Sequence, residues 1–462
     1  MDGSKKIPYD KLRSLEGPNG IESVPLLSTV KSVPPPDRCM FTYMIFFLHG
    51  IGHLLPWNFF ITANLYFKTK FTCPIEANPM VNSTCVGYED SFENYFSVAS
   101  MVPIAFMTAL NIWLQSKLRY QYRMVLSLVI MMVLFALTIA FVGIPTESWV
   151  DGFFGVTLLI VVVLSVASAI FQSSTFGFAG VFPPKYTSIV LSGQASAGIF
   201  AAVAQVLSLA LVGNKSTDSA FGYFAVALLV VIICLASFFL MLPMKFIKYY
   251  LNQTSYSNIK AKQGSVVQAS VNVKIVDTSV PYWKIFKGIW LYAVSVFLVF
   301  AVTLSLFPGV LAIVQSMDYV ENGTNVWSDT YFTPLVCFLL FNVSDFVGRF
   351  ITHWITAGSH SLVLFVASVL RVVFVPLVLL CKFQARQDPV FNSDVYPIVF
   401  VSLIGLTNGY FGSVAMISAP QSLPADQRET ASTIMAFFLS FGLLVGSCFS
   451  FLWAYVANLR YI

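Results

Sequence analysis

The sequence predicts an all-α, polytopic membrane protein. Three observations carry this. The 462 residues are 57% hydrophobic and only 10% charged, with a mean hydropathy of +0.78, whereas a soluble domain is about 25% charged. The apolar residues fall in continuous runs of about 20, the length that spans a bilayer as a helix. The alternating ~10-residue strands of a membrane barrel do not occur. Finally, the few polar groups inside these runs are spaced to share helical faces.

Taken in order, residues 1–40 form a polar, Pro-rich tail ending in Pro34-Pro35-Pro36, with no apolar core before a cleavage site, so it is not a signal peptide. Eleven spans follow, at about 41–66, 95–115, 124–144, 152–173, 187–212, 219–243, 288–313, 329–350, 361–381, 395–418 and 431–455. The Ser-, Gln- and Lys-rich segment 244–287 separates six spans (41–243) from five (288–462) and reads as a flexible cytosolic linker. A six-plus-five division suggests two half-bundles about a central site, an arrangement that transporters use. With the N-terminus inside, the inner segments hold 18 Lys and Arg and the outer ones six. That bias places the N-terminus in the cytosol and the C-terminus on the lumenal or extracellular face. The sequons at Asn82 and Asn322 then fall outside, as candidate glycosylation sites. Cys73 and Cys85 share one outer loop and either bridge or remain free thiols.

The net charge of +5 is spread over short loops beside the membrane, so no nucleic-acid partner is expected. Zinc-protease, nucleophile-elbow and P-loop motifs are missing, as are clustered metal ligands, so neither an enzyme nor a cofactor is expected.

The polar residues within spans are informative. Asn342, Asp345 and Arg349 lie at i, i+3 and i+7 in the eighth span, hence on one face. A charge at such depth costs at least ~2.5–3.5 kcal/mol, which restricts it to a bundle interior or a watery cavity. Asp345 and Arg349 form either a structural ion lock or a receptor for vicinal hydroxyls. Arg371 is a further internal charge without an assignable partner. In the first span Pro56, Trp57 and Asn58 follow His49 and His53, which read as hydrogen-bonded helix contacts. Gln172 in the fourth span suits either a heterocycle edge or a helix contact. Small residues at Ser165, Ala169, Ser173 and Gly177, in Ser192 to Gly198, and at Gly442 and Gly446 permit close helix approach.

Seven ordered stretches carry a family resemblance. They are Leu54-Leu-Pro-Trp-Asn-Phe-Phe60, Phe171-Gln-Ser-Ser-Thr-Phe-Gly177, Ser192-Gly-Gln-Ala-Ser-Ala-Gly198, Phe341-Asn-Val-Ser-Asp-Phe-Val-Gly-Arg349, Arg371-Val-Val-Phe-Val-Pro376, Thr407-Asn-Gly-Tyr410 and Glu429-Thr-Ala-Ser-Thr-Ile-Met-Ala-Phe-Phe438. With them the chain resembles the equilibrative nucleoside transporters, solute carrier family 29. The resemblance implies a bundle like that of the major facilitator superfamily and facilitated diffusion of purine and pyrimidine nucleosides, such as adenosine and uridine, by alternating access. It places Trp57, Met101, Ile104, Gln172, Phe307, Phe338, Asn342, Asp345, Arg349 and Leu443 in a substrate cavity, with Gln172 toward the nucleobase and Asp345 and Arg349 toward the ribose. It further implies an inner-gate pair, Arg123 with Glu429, and outer-gate positions Leu54, Asn58 and Ile61. Alternatives are nucleobase or organic-cation transport, or a non-transporting receptor or enzyme using the same cavity.

In the tail, Tyr9-Asp-Lys-Leu12 and Glu22-Ser-Val-Pro-Leu26-Leu27 fit the tyrosine-based and acidic dileucine patterns read by sorting adaptors. The long leader resembles that of the family's lysosomal branch, which implies a lysosomal or late-endosomal membrane, with the plasma membrane as the alternative. An acidic lumen would make Asp218 and Glu429 candidate pH sensors and would stimulate transport.

Overall fold

The computed structural model describes residues 35–71, 92–115, 117–145, 149–211, 216–252, 282–319, 325, 327–352, 354, 360–383 and 389–457. The sorting residues Tyr9, Leu12, Glu22, Leu26 and Leu27, the cysteines Cys73 and Cys85, and Asn82 and Asn322 lie outside these, as do the side chains of Ile61 and Asp218.

The described residues are helical, with no strand among them. The helices are α1 (Phe41–Thr62), α2 (Asn64–Phe71), α3 (Phe92–Leu114), α4 (Tyr120–Val142), α5 (Val150–Gly180), α6 (Pro184–Leu211), α7 (Ser216–Met241), α8 (245–252) and α9 (Tyr282–Leu306). After these come α10 (Phe341–Ile351), α11 (Ser361–Leu370), α12 (Phe374–Leu379), α13 (Val395–Gln421) and α14 (Arg428–Ala457). Ten stretches among the described residues are long and apolar enough to cross a bilayer. They correspond to the second through eleventh spans expected from the sequence. The first, α1, is 22 residues long, which at ~1.5 Å per residue is about 33 Å, close to a ~30 Å hydrocarbon core.

Each helix sorts its residues by face. On α4, Met124, Leu128, Met131 and Phe135 are buried while Leu126, Val133 and Leu137 are exposed, so the outward row is as apolar as the inward one. That pattern suits lipid rather than water outside.

The segment expected as a flexible linker is helical at both described ends. Phe246 and Ile247 of α8 are buried. Phe246 stacks on Phe182 at 6.0 Å, and Tyr250 meets the same ring at 5.2 Å. At the other end α9 begins at Tyr282 rather than near 288. Aromatic burial overrides the polar composition that suggested flexibility.

Helices α1, α5, α6 and α7 pack together, as do α9, α10, α13 and α14; α3 and α5 meet α14, and α6 meets α10 and α13. Two contacts set the geometry near the centre. Gly50 on α1 faces Gly193 on α6, where a Cβ on either would strike a backbone carbonyl of the other helix. Gly409 on α13 sits on the carbonyl of Asp345, so the backbones of α10 and α13 touch there. Gly442 and Gly446 seat α14 on α9 in the same way, a packing role.

α10 does not begin as an α-helix. Thr333–Leu340 is wound as a π-helix and passes into α geometry at Phe341. Similarly, a 3₁₀ turn at Arg371–Val373 interrupts the run from α11 to α12, three residues before Pro376. A proline lacks the N–H for the preceding turn, which loosens the ladder there.

Candidate functional site

A cavity of about 120 Å³ lies at the centre of these helices. α1 contributes His53, Leu54, Trp57 and Asn58, α3 Met101 and Ile104, α5 Ser168 and Gln172, and α6 Gln194 and Ala195. Opposite them stand Phe300, Thr303, Leu304 and Phe307 on and just after α9, Phe341, Asn342, Asp345 and Arg349 on α10, Asn408 on α13, and Leu439 and Leu443 on α14.

The three polar residues of α10 share the cavity wall, as their spacing requires. Asp345 and Arg349 are both buried. Arg349 Nε donates to Asp345 Oδ2 at 2.8 Å, and Arg349 Nη1 donates to the carbonyl of Leu191 on α6 at 3.1 Å. The second carboxylate oxygen accepts from Asn408 Nδ2 at 2.6 Å. Asp345 is therefore held at both carboxylate oxygens, one from its own helix and one from α13, and Arg349 ties α10 to α6.

Behind Asn408 the polar chain continues in one direction. Thr303 Oγ1 donates to Asn408 Oδ1 at 2.8 Å, and Arg371 Nη2 donates to Thr303 Oγ1 at 2.9 Å. Arg371 is held further by Thr407 Oγ1 at 3.0 Å and by the carbonyls of Val299 and Ile404 at 2.7 and 3.0 Å. Its partners, unassignable from sequence, are neutral oxygens and a hydroxyl relay that ends on Asp345.

The rest of the wall is apolar and aromatic. Phe307 and Phe341 stack in parallel at 4.0 Å. Gln172 Oε1 accepts from Ser440 Oγ at 3.4 Å, which leaves its carboxamide nitrogen as the remaining donor. Trp57 Nε1 is buried without a hydrogen-bond partner. A cavity with stacking faces, an uncommitted carboxamide at one side and an ordered carboxylate–guanidinium pair at the other can hold a flat heterocycle joined to a polyhydroxyl group.

Of the ten residues expected in the substrate cavity, nine line it. Phe338 lines a smaller adjoining pocket with Trp57, Asn58, Phe307 and Asn342. It belongs to the π-wound segment, its carbonyl accepts from Asn342 Nδ2 at 2.8 Å, and its ring meets Phe307 edge-on at 5.8 Å. Leu54 and Asn58 also line the large cavity, and Asn58 Nδ2 donates to the Leu54 carbonyl at 3.0 Å. Arg123 and Glu429 approach to 3.6 Å at the end of the bundle where α4 and α14 begin. Arg123 Nη1 also donates to Asn111 Oδ1 at 3.2 Å, and Gln115 Oε1 accepts from Thr433 Oγ1 at 2.8 Å. There Gly180 packs against Ser432 and Gly177 against Thr433, so α5 and α14 close on each other.

Sequence reasoning did not assign Thr303, Asn408 or Gln194 to the cavity. Each is a lone hydrogen-bonding side chain inside an apolar run, the signal that did single out Gln172. Among the described residues no group of three or more His, Cys, Asp or Glu is placed to hold a metal.

A helical bundle closed around a central polar cavity is the architecture of a membrane transporter of the major facilitator type. The fold matches the proton:xylose symporter of that superfamily bound to 6-bromo-6-deoxy-D-glucose with a TM-score of 0.54, covering 90% of this chain and 93% of that one at 10% identity. It matches FucP in the outward conformation with a TM-score of 0.52, covering 90% and 96% at 14% identity. At such identities the likeness concerns the fold alone.

The sequence is more specific. Residues 158–455 match the family described as Nucleoside transporter, and the chain belongs to that family. It is 34% identical over 454 residues to equilibrative nucleoside transporter 1 of Rattus norvegicus, covering 90% of this chain and 98% of the relative. It is 35% identical over 459 residues to equilibrative nucleoside transporter 2 of Homo sapiens, with 90% and 98% covered, and 33% identical over 431 residues to equilibrative nucleoside transporter 3 of Rattus norvegicus, with 89% and 88% covered.

Proposed function

We propose that this protein carries purine and pyrimidine nucleosides down their gradient by alternating access. The observation that carries the reading is the Asp345–Arg349 pair, ordered by Asn408 and Leu191 within a cavity that also presents Trp57 and Gln172. In this reading the carboxylate and guanidinium engage the ribose hydroxyls, Gln172 the base, and the aromatic side chains its face. Arg123 with Glu429 is the inner gate, and Leu54, Asn58 and Ile61 serve the outer one. The chain crosses the membrane eleven times with its N-terminus cytosolic. Sorting adaptors read its tail and direct it to a late-endosomal or lysosomal membrane.

The test is uptake of labelled adenosine and uridine into proteoliposomes of the purified protein, at neutral and acidic lumenal pH. Saturable uptake is expected, abolished by Asp345→Ala and by Arg349→Ala at unchanged incorporation. Wild-type flux in both variants would refute the site. Competition by hypoxanthine or monoamines stronger than by adenosine would shift the substrate to nucleobases or organic cations. For location, replacing Leu26 and Leu27 by Ala should move the protein to the cell surface.

A further inference from the structure

Two histidines sit one turn apart on α1, and the bundle treats them differently. His49 is fully buried away from the cavity, and its Nε2 meets the Cys234 carbonyl and the Ser237 hydroxyl, both at 3.3 Å. It joins α1 to α7. His53 lines the cavity. Its Nδ1 lies 3.0 Å from the carboxamide nitrogen of Gln194 on α6, and its backbone carbonyl accepts from Ser168 Oγ on α5 at 3.2 Å.

A carboxamide nitrogen only donates, so His53 Nδ1 is the acceptor of that bond. The neutral ring then carries its proton on Nε2, and this edge remains for the cavity. The tautomer is fixed by the neighbour rather than left to the ligand. Trp57, four residues on and therefore on the same helical face, adds a second N–H, buried and unpartnered. Along this wall α1 thus places the His53 Nε2–H, with the Trp57 indole N–H behind it and the Asn58 carboxamide beside it. A buried donor left unmatched costs more than a matched one gains, so such a wall selects ligands that bring acceptors to it.

We infer that His53 is a specificity-determining residue, donating its Nε2–H to an in-plane ring nitrogen of a purine base, with Gln194 as the positioning residue that fixes the donor. This rests on the nucleoside reading of the cavity. His53 is placed for it by two ties. Ser168 stands one turn before Gln172 on α5. Gln194 stands three residues after Leu191, whose carbonyl holds Arg349. His53 is therefore tied to the two helices that carry Gln172 and the Leu191 carbonyl bonded to Arg349.

The test measures KM in proteoliposomes for adenosine and its 1-deaza, 3-deaza and 7-deaza analogues, each lacking one ring acceptor. It compares wild type with His53→Leu, His53→Gln and His53→Asn. Wild type should prefer adenosine to one analogue by about 3- to 10-fold, the worth of one neutral hydrogen bond. The preference should vanish in His53→Leu. It should return in His53→Gln, whose amide nitrogen reaches the Nε2 position, and not in His53→Asn, whose shorter amide does not. Equal wild-type KM values for all four compounds would overturn the inference. So would a preference retained in His53→Leu, or one restored equally by both amides. If wild type carries none of the four compounds, it is the nucleoside reading itself that fails.

Discussion

Thr303→Val is the sharpest perturbation of the polar network, because it removes one hydroxyl and little volume. That hydroxyl accepts from Arg371 at 2.9 Å, and its single proton has Asn408 Oδ1 at 2.8 Å and the Val299 carbonyl at 2.9 Å as acceptors. Without it Asn408 Oδ1 loses its partner in a buried site, at a cost of about 1–3 kcal/mol. Arg371 Nη2 retains the Ile404 carbonyl at 3.0 Å, so little is added there. The carboxamide is then free to turn, and Asp345 loses the 2.6 Å bond that orients it. With ~1.4 kcal/mol per tenfold, KM for adenosine should rise by up to about 5- to 140-fold. Thr303 also touches the cavity, so a direct contact with substrate must be separated from the relay. Arg371→Leu does this, since Arg371 does not line the cavity. If both act through Asn408, the double variant should fall short of the sum of the singles by at least ~0.5 kcal/mol. Uptake KM and thermal inactivation in detergent give the two readouts. Additivity within ~0.3–0.5 kcal/mol, or a Thr303→Val protein indistinguishable from wild type in both, would refute the relay.

Glu429→Gln should weaken the 3.6 Å contact with Arg123. Because Glu429 is more than a third exposed, the stability cost should be small, ~0–1 kcal/mol. Labelling of single cysteines on α5 and α14 near Gly177 and Ser432 should nonetheless rise, and unchanged labelling would remove the pair as a gate. His49→Leu should lower the melting temperature in detergent through its lost bonds to α7, each worth ~0.5–1.5 kcal/mol. It should leave the nucleoside KM unaltered, in contrast to His53.

The polar stripe of α10 was legible because charge inside an apolar run is expensive and a 3.6-residue period fixes which groups share a face. The same logic marked Gln172 and Trp57. It stopped at Arg371, whose partners come from α9 and α13 and include two backbone carbonyls, and no sequence pattern announces a carbonyl as a ligand. Phe338 illustrates a different limit. Its spacing from Asn342 suggests one face, and the two share a pocket, but that pocket only adjoins the large cavity, because Trp57 and Phe307 from other helices stand at both. The segment 244–287 is helical at its start because Phe246 and Tyr250 find an aromatic cluster contributed by residues far earlier in the chain. His49 and His53 looked alike as letters, and only the neighbouring helices distinguish a strut from a donor.

The change of winding within the eighth span has a mechanical consequence. From Phe341 onward the helix is pinned to α13, because Gly348, Gly405 and Gly409 bring the two backbones into contact. The eight residues before it, Thr333–Leu340, hold more chain per unit length than an α-helix of the same span. They are a length of slack attached to an anchored rod. Rewinding them to α geometry would lengthen the segment at its Thr333 end while Asp345 and Arg349 stayed in register. The chain before Phe341 can thus change length without displacing the polar groups of the cavity wall.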